Sequence, residues 1–245
     1  MDVFFHQYFD LDVIRDNFDY VLKGFGQTVE IAIISAVLAL IWGLVLALLR
    51  ASPGRGMLPA RAVAIAYIDV MRGIPLLLVI LLISGSLPFL DFLPSWLRAP
   101  SFFGKPDIFW YGVMSITLTY GAYYAEVYRA GLEAVPYGQM EAARSLGMSH
   151  GRAMRHVIVP QAIRTVIPPM LNDFIALMKD TSLVGVIALV EVVKAGREVQ
   201  SETFNSSALT LGALLFIVVT IPLARLVDRL IARQQLALRR TAPVG

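Results

Sequence analysis

Four stretches of this 245-residue chain contain no Asp, Glu, Lys or Arg: those between Glu30 and Arg50, Arg72 and Asp91, Asp107 and Glu126, and Glu202 and Arg225. They hold 19, 18, 18 and 22 residues. A helix rises about 1.5 Å per residue, so each would cover roughly 27 to 33 Å, the hydrocarbon thickness of a bilayer. Such a chain has lipid, not water, as its solvent. The remaining composition agrees: 57% of residues are hydrophobic and 16% charged, against about 25% charged in soluble domains.

A fifth apolar region, from about Thr165 to Val190, is interrupted by Asp173, Lys179 and Asp180. On a helical projection Asn172, Asp173, Ala176, Lys179, Asp180 and Leu183 fall on one side, while Phe174, Leu177 and Met178 point elsewhere. Charges at membrane depth are tolerated where they face protein or water, so this side should line a translocation path or a helix contact. The expected fold is all-α and polytopic, with helices at about 27–50, 60–90, 107–129, 163–190 and 204–228. Residues 1–26 form an extracytoplasmic N-terminal segment, 27–230 the five-span domain, and 231–245 a tail.

Connecting segments on one side of these spans hold thirteen Lys and Arg, those on the other six. The positive-inside rule then places the N-terminus outside and the C-terminus in the cytoplasm. This orientation accounts for the net charge of +3 without a nucleic-acid partner. The first twenty residues lack a basic start and carry five aspartates, so they do not read as a signal peptide. With no cysteine, thiol chemistry and disulfides are excluded. His6, His150 and His156 lack metal-ligand spacing, and no nucleophile elbow surrounds the serines.

The longest cytoplasmic connection, residues 130–164, contains EAVPYGQMEAARSLGMSHGRAMRHVIVPQAIR. Its punctuation predicts a helix begun at Pro136 and ended by a left-handed Gly147, then a second capped by Ser149 and stopped by Pro160. Ala142 and Ala143 expose little side chain beside Glu141 and Arg144, which suits close docking of a partner surface.

From Glu141 to Pro160 this segment resembles the EAA loop of membrane subunits of ATP-binding-cassette importers, with Val157 and Val159 as conservative replacements near its end. YIDVMRGIPLL from Tyr67, GAYYAEVYRAGLEAVPYGQ from Gly121 and PPMLNDFIALMKDTSLVGVI from Pro168 are similar to the polar amino-acid permease branch, which includes histidine and glutamine uptake systems. One departure is Ile80, where that branch commonly carries Gln. The resemblance implies a type I importer permease whose loop helix couples to a cytoplasmic ATPase through Glu141, Ala142, Ala143, Gly147 and Pro160. It also implies an extracytoplasmic solute-binding protein and a second permease, identical or homologous. ATP and Mg²⁺ would belong to the ATPase, since no GxxxxGK[ST] loop occurs in this chain; this subunit would perform no covalent chemistry and bind no cofactor of its own.

Asp69, Arg72, Tyr120, Tyr124, Asn172, Asp173, Lys179 and Asp180 are the candidate pathway residues. For Arg72 the simpler reading is an i, i+3 pair with Asp69 near the inner interface, the arginine snorkelling to water. For the tyrosines it is packing, and Glu126 most simply pairs with Arg129. An ion-coupled secondary carrier, using Asp173 and Asp180 to couple ions, is the alternative function.

Overall fold

The computed structural model describes the backbone of residues 2–241, with side chains to Arg233. No strand occurs among them. A short helix α1 (Asp2–Phe9) leads into α2 (Leu11–Ala51), capped by the Asp10 carboxylate, which accepts from the Asp12 and Val13 amides. The first span was expected to begin near residue 27, yet helix runs on through the aspartate-rich segment. The reason is tertiary. Val21 and Phe25 pack against Val192, Val199 and Leu211, giving a polar stretch an apolar face to bury.

The second span is two helices, α3 (Leu58–Gly73) and α4 (Leu76–Ser86), bent by 108°. Pro75 forces Ile74 into extended backbone (φ −98°, ψ 131°), so the hydrogen-bond ladder stops and restarts. The short α5 (Ser95–Arg98) lies in the connection to α6 (Asp107–Glu133), the third span. In the loop that follows, α7 (Tyr137–Ser145) and α8 (His150–Ala153) are separated by a tight turn. A π turn, Met154–Ile158, then leads into α9 (Val159–Asp180), extended as a 3₁₀ segment over Thr181–Ile187.

Pro160 was expected to stop the second loop helix. It does not, and helix runs unbroken from His150 to Asp180. The wide π turn absorbs the proline: the Val159 amide reaches back five residues to the Met154 carbonyl, and Pro160 occupies a first-turn position where no amide is required. A further helix not anticipated from sequence, α10 (Val192–Thr203), precedes the last span, α11 (Ser207–Thr241).

Among the described residues, Asp2–Ala51 and Ser207–Arg233 are each long and apolar enough to cross a membrane, as is the α3–α4 pair counted as one broken span. With α6 and α9 they occupy the five expected positions. The main core, including Ile31, Ile80, Phe109, Ile116 and Leu177, lies where α2, α4, α6 and α9 meet. Helices α2 and α6 approach through glycine, as helices in lipid do when dispersion rather than water exclusion drives contact. A β-carbon on Gly121 would sit 2.5 Å from Cδ1 of Trp42, and one on Gly43 2.8 Å from the Gly121 carbonyl oxygen.

Candidate translocation site and coupling loop

The 108° break sets the geometry of the membrane-depth site. In lipid, a span can interrupt its hydrogen-bonding only where protein or a wet cavity receives the freed groups. Such a cavity is present, about 500 Å³, lined by Arg72 and the Gly73–Leu76 break on one side, by Thr119, Tyr120 and Tyr123 of α6, and by Asp173, Ala176 and Asp180 of α9. Of the eight candidate pathway residues the structure brings four together: Arg72, Tyr120, Asp173 and Asp180. The phenol of Tyr120 donates to Oδ2 of Asp180 at 2.8 Å.

The other four lie outside that lining. Tyr124 is buried in the core with 1% exposure and borders a separate apolar groove against Ile167 and Phe174. Asp69 is exposed on α3, and Asn172 and Lys179 are exposed on α9. The helical projection grouped the α9 residues within one broad arc, and the structure divides that arc between cavity wall and outer surface. Thr119 was missed as a cavity residue; Tyr123 belongs to the tyrosine stripe at helical spacing that can line a cavity, and the Gly73–Pro75 spacing predicts the kink that is found. Ile80 is fully buried in the core, so its departure from the family pattern alters packing and leaves the cavity lining untouched.

Arg72 does not pair with Asp69 as expected. It reaches across to α6, with Nη1 3.8 Å from Oε1 of Glu126 and its guanidinium 5.9 Å from the centre of the Tyr123 ring. The pairing of Glu126 with Arg129 is present at 2.7 Å, and Glu126 also binds Arg50 of α2. One carboxylate therefore ties three arginines from α2, α3 and α6 at the end of these helices nearest the loop.

In the loop, Gly147 has φ +83°, and its amide donates to the Arg144 carbonyl while Met148 donates to Ala143. These two bonds form the Schellman ending that a left-handed glycine permits. The Ser149 hydroxyl caps α8 by accepting from the Arg152 amide at 3.4 Å. Glu141 and Ala142 are exposed, but Ala143 is buried at 4% and packs inward, as does Ala153 of α8. The exposed face of α7 thus carries Glu141 and Ala142 with Tyr137 and Leu146 beside them, while Ala143 is turned inward. Pro160 is exposed on the continuing helix, beyond the turn.

A family model for the inner membrane component of binding-protein-dependent transport systems matches residues 39–235, more than three quarters of the chain. The chain belongs to this family. The permease is 34% identical over 221 residues to the probable glutamine ABC transporter permease protein GlnM of Bacillus subtilis (strain 168), covering 88% of this chain and 93% of that one. It is also 34% identical over 187 residues to the arginine transport system permease protein ArtQ of the same organism, covering 76% and 78%. A crystal structure of an amino acid ABC transporter with histidines superposes with a TM-score of 0.77 and 32% identity over 90% of this chain and 96% of that one. The MetNI methionine ABC transporter, at 15% identity and a TM-score of 0.69, shares the fold. The permease is accordingly a membrane subunit of the amino-acid ATP-binding-cassette importer type.

Proposed function

We propose that this permease moves a polar amino acid or close derivative inward by alternating access, through the cavity at the α3–α4 break, with the driving force supplied by a separate ATPase. The observation that carries this reading is the convergence of Arg72 and a broken helix with Asp173 and Asp180 around one cavity. Opposed charges on either side of one cavity suit a zwitterion, and ionisable groups within the spanning helices of a membrane protein mark solute paths.

The loop is the second part of the reading. A short helix carrying exposed Glu141, Ala142, Tyr137 and Leu146, bounded by the rigid Gly147 turn, supports docking in a groove of a cytoplasmic ATPase, with ATP and Mg²⁺ held there. The polar groups of Asn172 and Lys179, exposed on α9 within the span, support a second permease, identical or homologous, covering that surface. The external partner is a solute-binding protein. In this arrangement the N-terminus lies outside the cytoplasmic membrane and the loop and C-terminus inside.

The test is reconstitution in proteoliposomes with the cognate ATPase and binding protein. Uptake of radiolabelled amino acid should require ATP on the ATPase side and vanish without that subunit. Accumulation driven by an ion gradient alone would favour the carrier reading and overturn this one.

A further inference from the structure

We propose that the connection between α4 and α6 is a lipid anchor, seated in the leaflet on the side opposite the coupling loop and meeting acyl chains with the rings of Phe92 and Trp96. In the orientation proposed above this is the outer leaflet, and the anchor is independent of which solute the cavity carries. Residues 87–106 hold five aromatic rings on exposed positions, among them Phe89 at 79%, Phe92 at 80%, Trp96 at 59% and Phe103 at 93%. Closely spaced apolar surface of this size marks contact with lipid or with another protein.

Depth decides between the two. Lys105 is joined to Glu30 at 2.6 Å, and Asp107 opens α6 beside them. These charges mark where α2 and α6 enter the hydrocarbon from this side. Between the connection and the spans lies a groove of about 180 Å³, with Trp96, Leu97 and Pro100 on one side and Leu38 of α2 and Met114 of α6 on the other. Leu38 comes eight residues after Glu30, and Met114 seven after Asp107. At about 1.5 Å per residue both helices place α5 roughly 10 to 12 Å beneath the marker charges, close to the depth at which interfacial helices bury their apolar face. A loop in water would stand above them.

The polar groups of the segment are arranged for that place. In lipid an unpaired amide, carbonyl or charge is costly, because no water is present to receive it. Pro88, Pro94, Pro100 and Pro106 carry no amide. The amides of Leu90, Leu93, Leu97, Arg98 and Ala99 donate to carbonyls within the segment. Two further carbonyls are taken by α6: the Tyr111 hydroxyl donates to that of Arg98, and the Trp110 indole to that of Phe102 at 3.3 Å. All three charges of the segment are paired, Asp91 with Arg98 and Lys105 with Glu30. What the connection leaves outward is aromatic. Rings seated at this boundary fix the depth of the helices they flank, here α4 and α6, both of which contribute to the cavity wall.

The chain has no cysteine, so a single introduced cysteine carries a nitroxide label without background. The permease bound to its ATPase, in nanodiscs of phosphatidylethanolamine and phosphatidylglycerol, is labelled at Trp96→Cys and, separately, at Phe92→Cys. Collision rates are read against oxygen, which concentrates in lipid, and against a water-soluble nickel chelate. Ile41→Cys, exposed on α2 within its charge-free stretch, is the lipid reference, and Asp12→Cys, exposed at the start of α2, the water reference. The oxygen-to-nickel ratio at both anchor positions should lie several-fold above that of Asp12→Cys and closer to that of Ile41→Cys. A ratio closer to that of Asp12→Cys at either position overturns the proposal. If such a water-exposed label becomes protected only when the solute-binding protein is added, the aromatic surface belongs to that protein and the lipid anchor is equally overturned.

Discussion

Tyr120 of α6 donates its hydroxyl to Asp180 at the last turn of α9, 2.8 Å away, and so ties the third and fourth spans together at the wall of the cavity. A hydrogen bond to a carboxylate contributes about 1.5–3 kcal/mol when water does not compete strongly. Tyr120→Phe should therefore lower the midpoint of thermal unfolding in nanodiscs and reduce uptake while leaving membrane insertion intact. Wild-type uptake together with a wild-type unfolding midpoint would remove this bond from the account.

Glu126 is the shared counter-ion of Arg50, Arg72 and Arg129. Glu126→Gln strands Arg50 and Arg72, while Arg129 keeps its pair with Glu133 at 2.7 Å. The cost should fall below the roughly 3–5 kcal/mol of a fully buried broken pair, because the arginine side chains keep 27–42% exposure to solvent. Adding Arg50→Gln should recover part of the lost stability, since it removes one of the stranded charges. If the double variant is no more stable than Glu126→Gln alone, the three arginines are not competing for one carboxylate.

Close approach of α2 and α6 depends on Gly121, where a β-carbon would meet Trp42 at 2.5 Å. Gly121→Ala should destabilise by about 1–3 kcal/mol through overpacking. Gly26→Ala is the matched control, on the same helix as Trp42 with nothing within 4 Å of the new methyl group, and should be neutral or slightly stabilising. Equal unfolding midpoints for the two variants would contradict the packing argument.

At Gly147 the space is open and only the backbone angle is demanding. Gly147→Asn should dock the ATPase nearly as well as wild type, because asparagine tolerates the left-handed region. Gly147→Val should lose about 1–3 kcal/mol locally and weaken co-purification of the ATPase at least several-fold. Equal docking by both variants would mean that the turn does not set the docking geometry.

Much of the fold was legible because lipid makes apolar length a strict requirement: the charge-free stretches fall at α2, at α4 with its flanking break, at α6 and at α11. What sequence could not give was any element stabilised by its neighbours. Residues 11–26 read as a polar lead-in, yet they are helical because Val21 and Phe25 meet Val192 and Val199. Helix α10 is polar on one face and was hidden by its own charges. Arg72 was assigned to Asp69, three residues away, when its partner Glu126 lies 54 positions along the chain. Spacing along one helix reports only local neighbours. The Gly147 turn and the Ser149 cap were legible for that same reason, being set by residues within five positions. The division of α9 between Asp173 and Asp180 on the cavity and Asn172 and Lys179 outside it required the position of α4.

The unbroken run from His150 to Asp180 also has a mechanical meaning. At about 1.5 Å per residue it is a rod roughly 46 Å long, with the docking turn at one end and the Asp180 carboxylate at the other. If its loop end were held as a fulcrum, a tilt of about 5° would carry the far end through roughly 4 Å, more than the length of the hydrogen bond that Tyr120 makes there. A proline that ended the helix, as the sequence alone suggests, would have put a flexible joint in that rod. The π turn at Met154–Ile158 carries the helix past Pro160 without a break, and the bend point between loop and cavity moves instead to Pro168 and Pro169 inside α9.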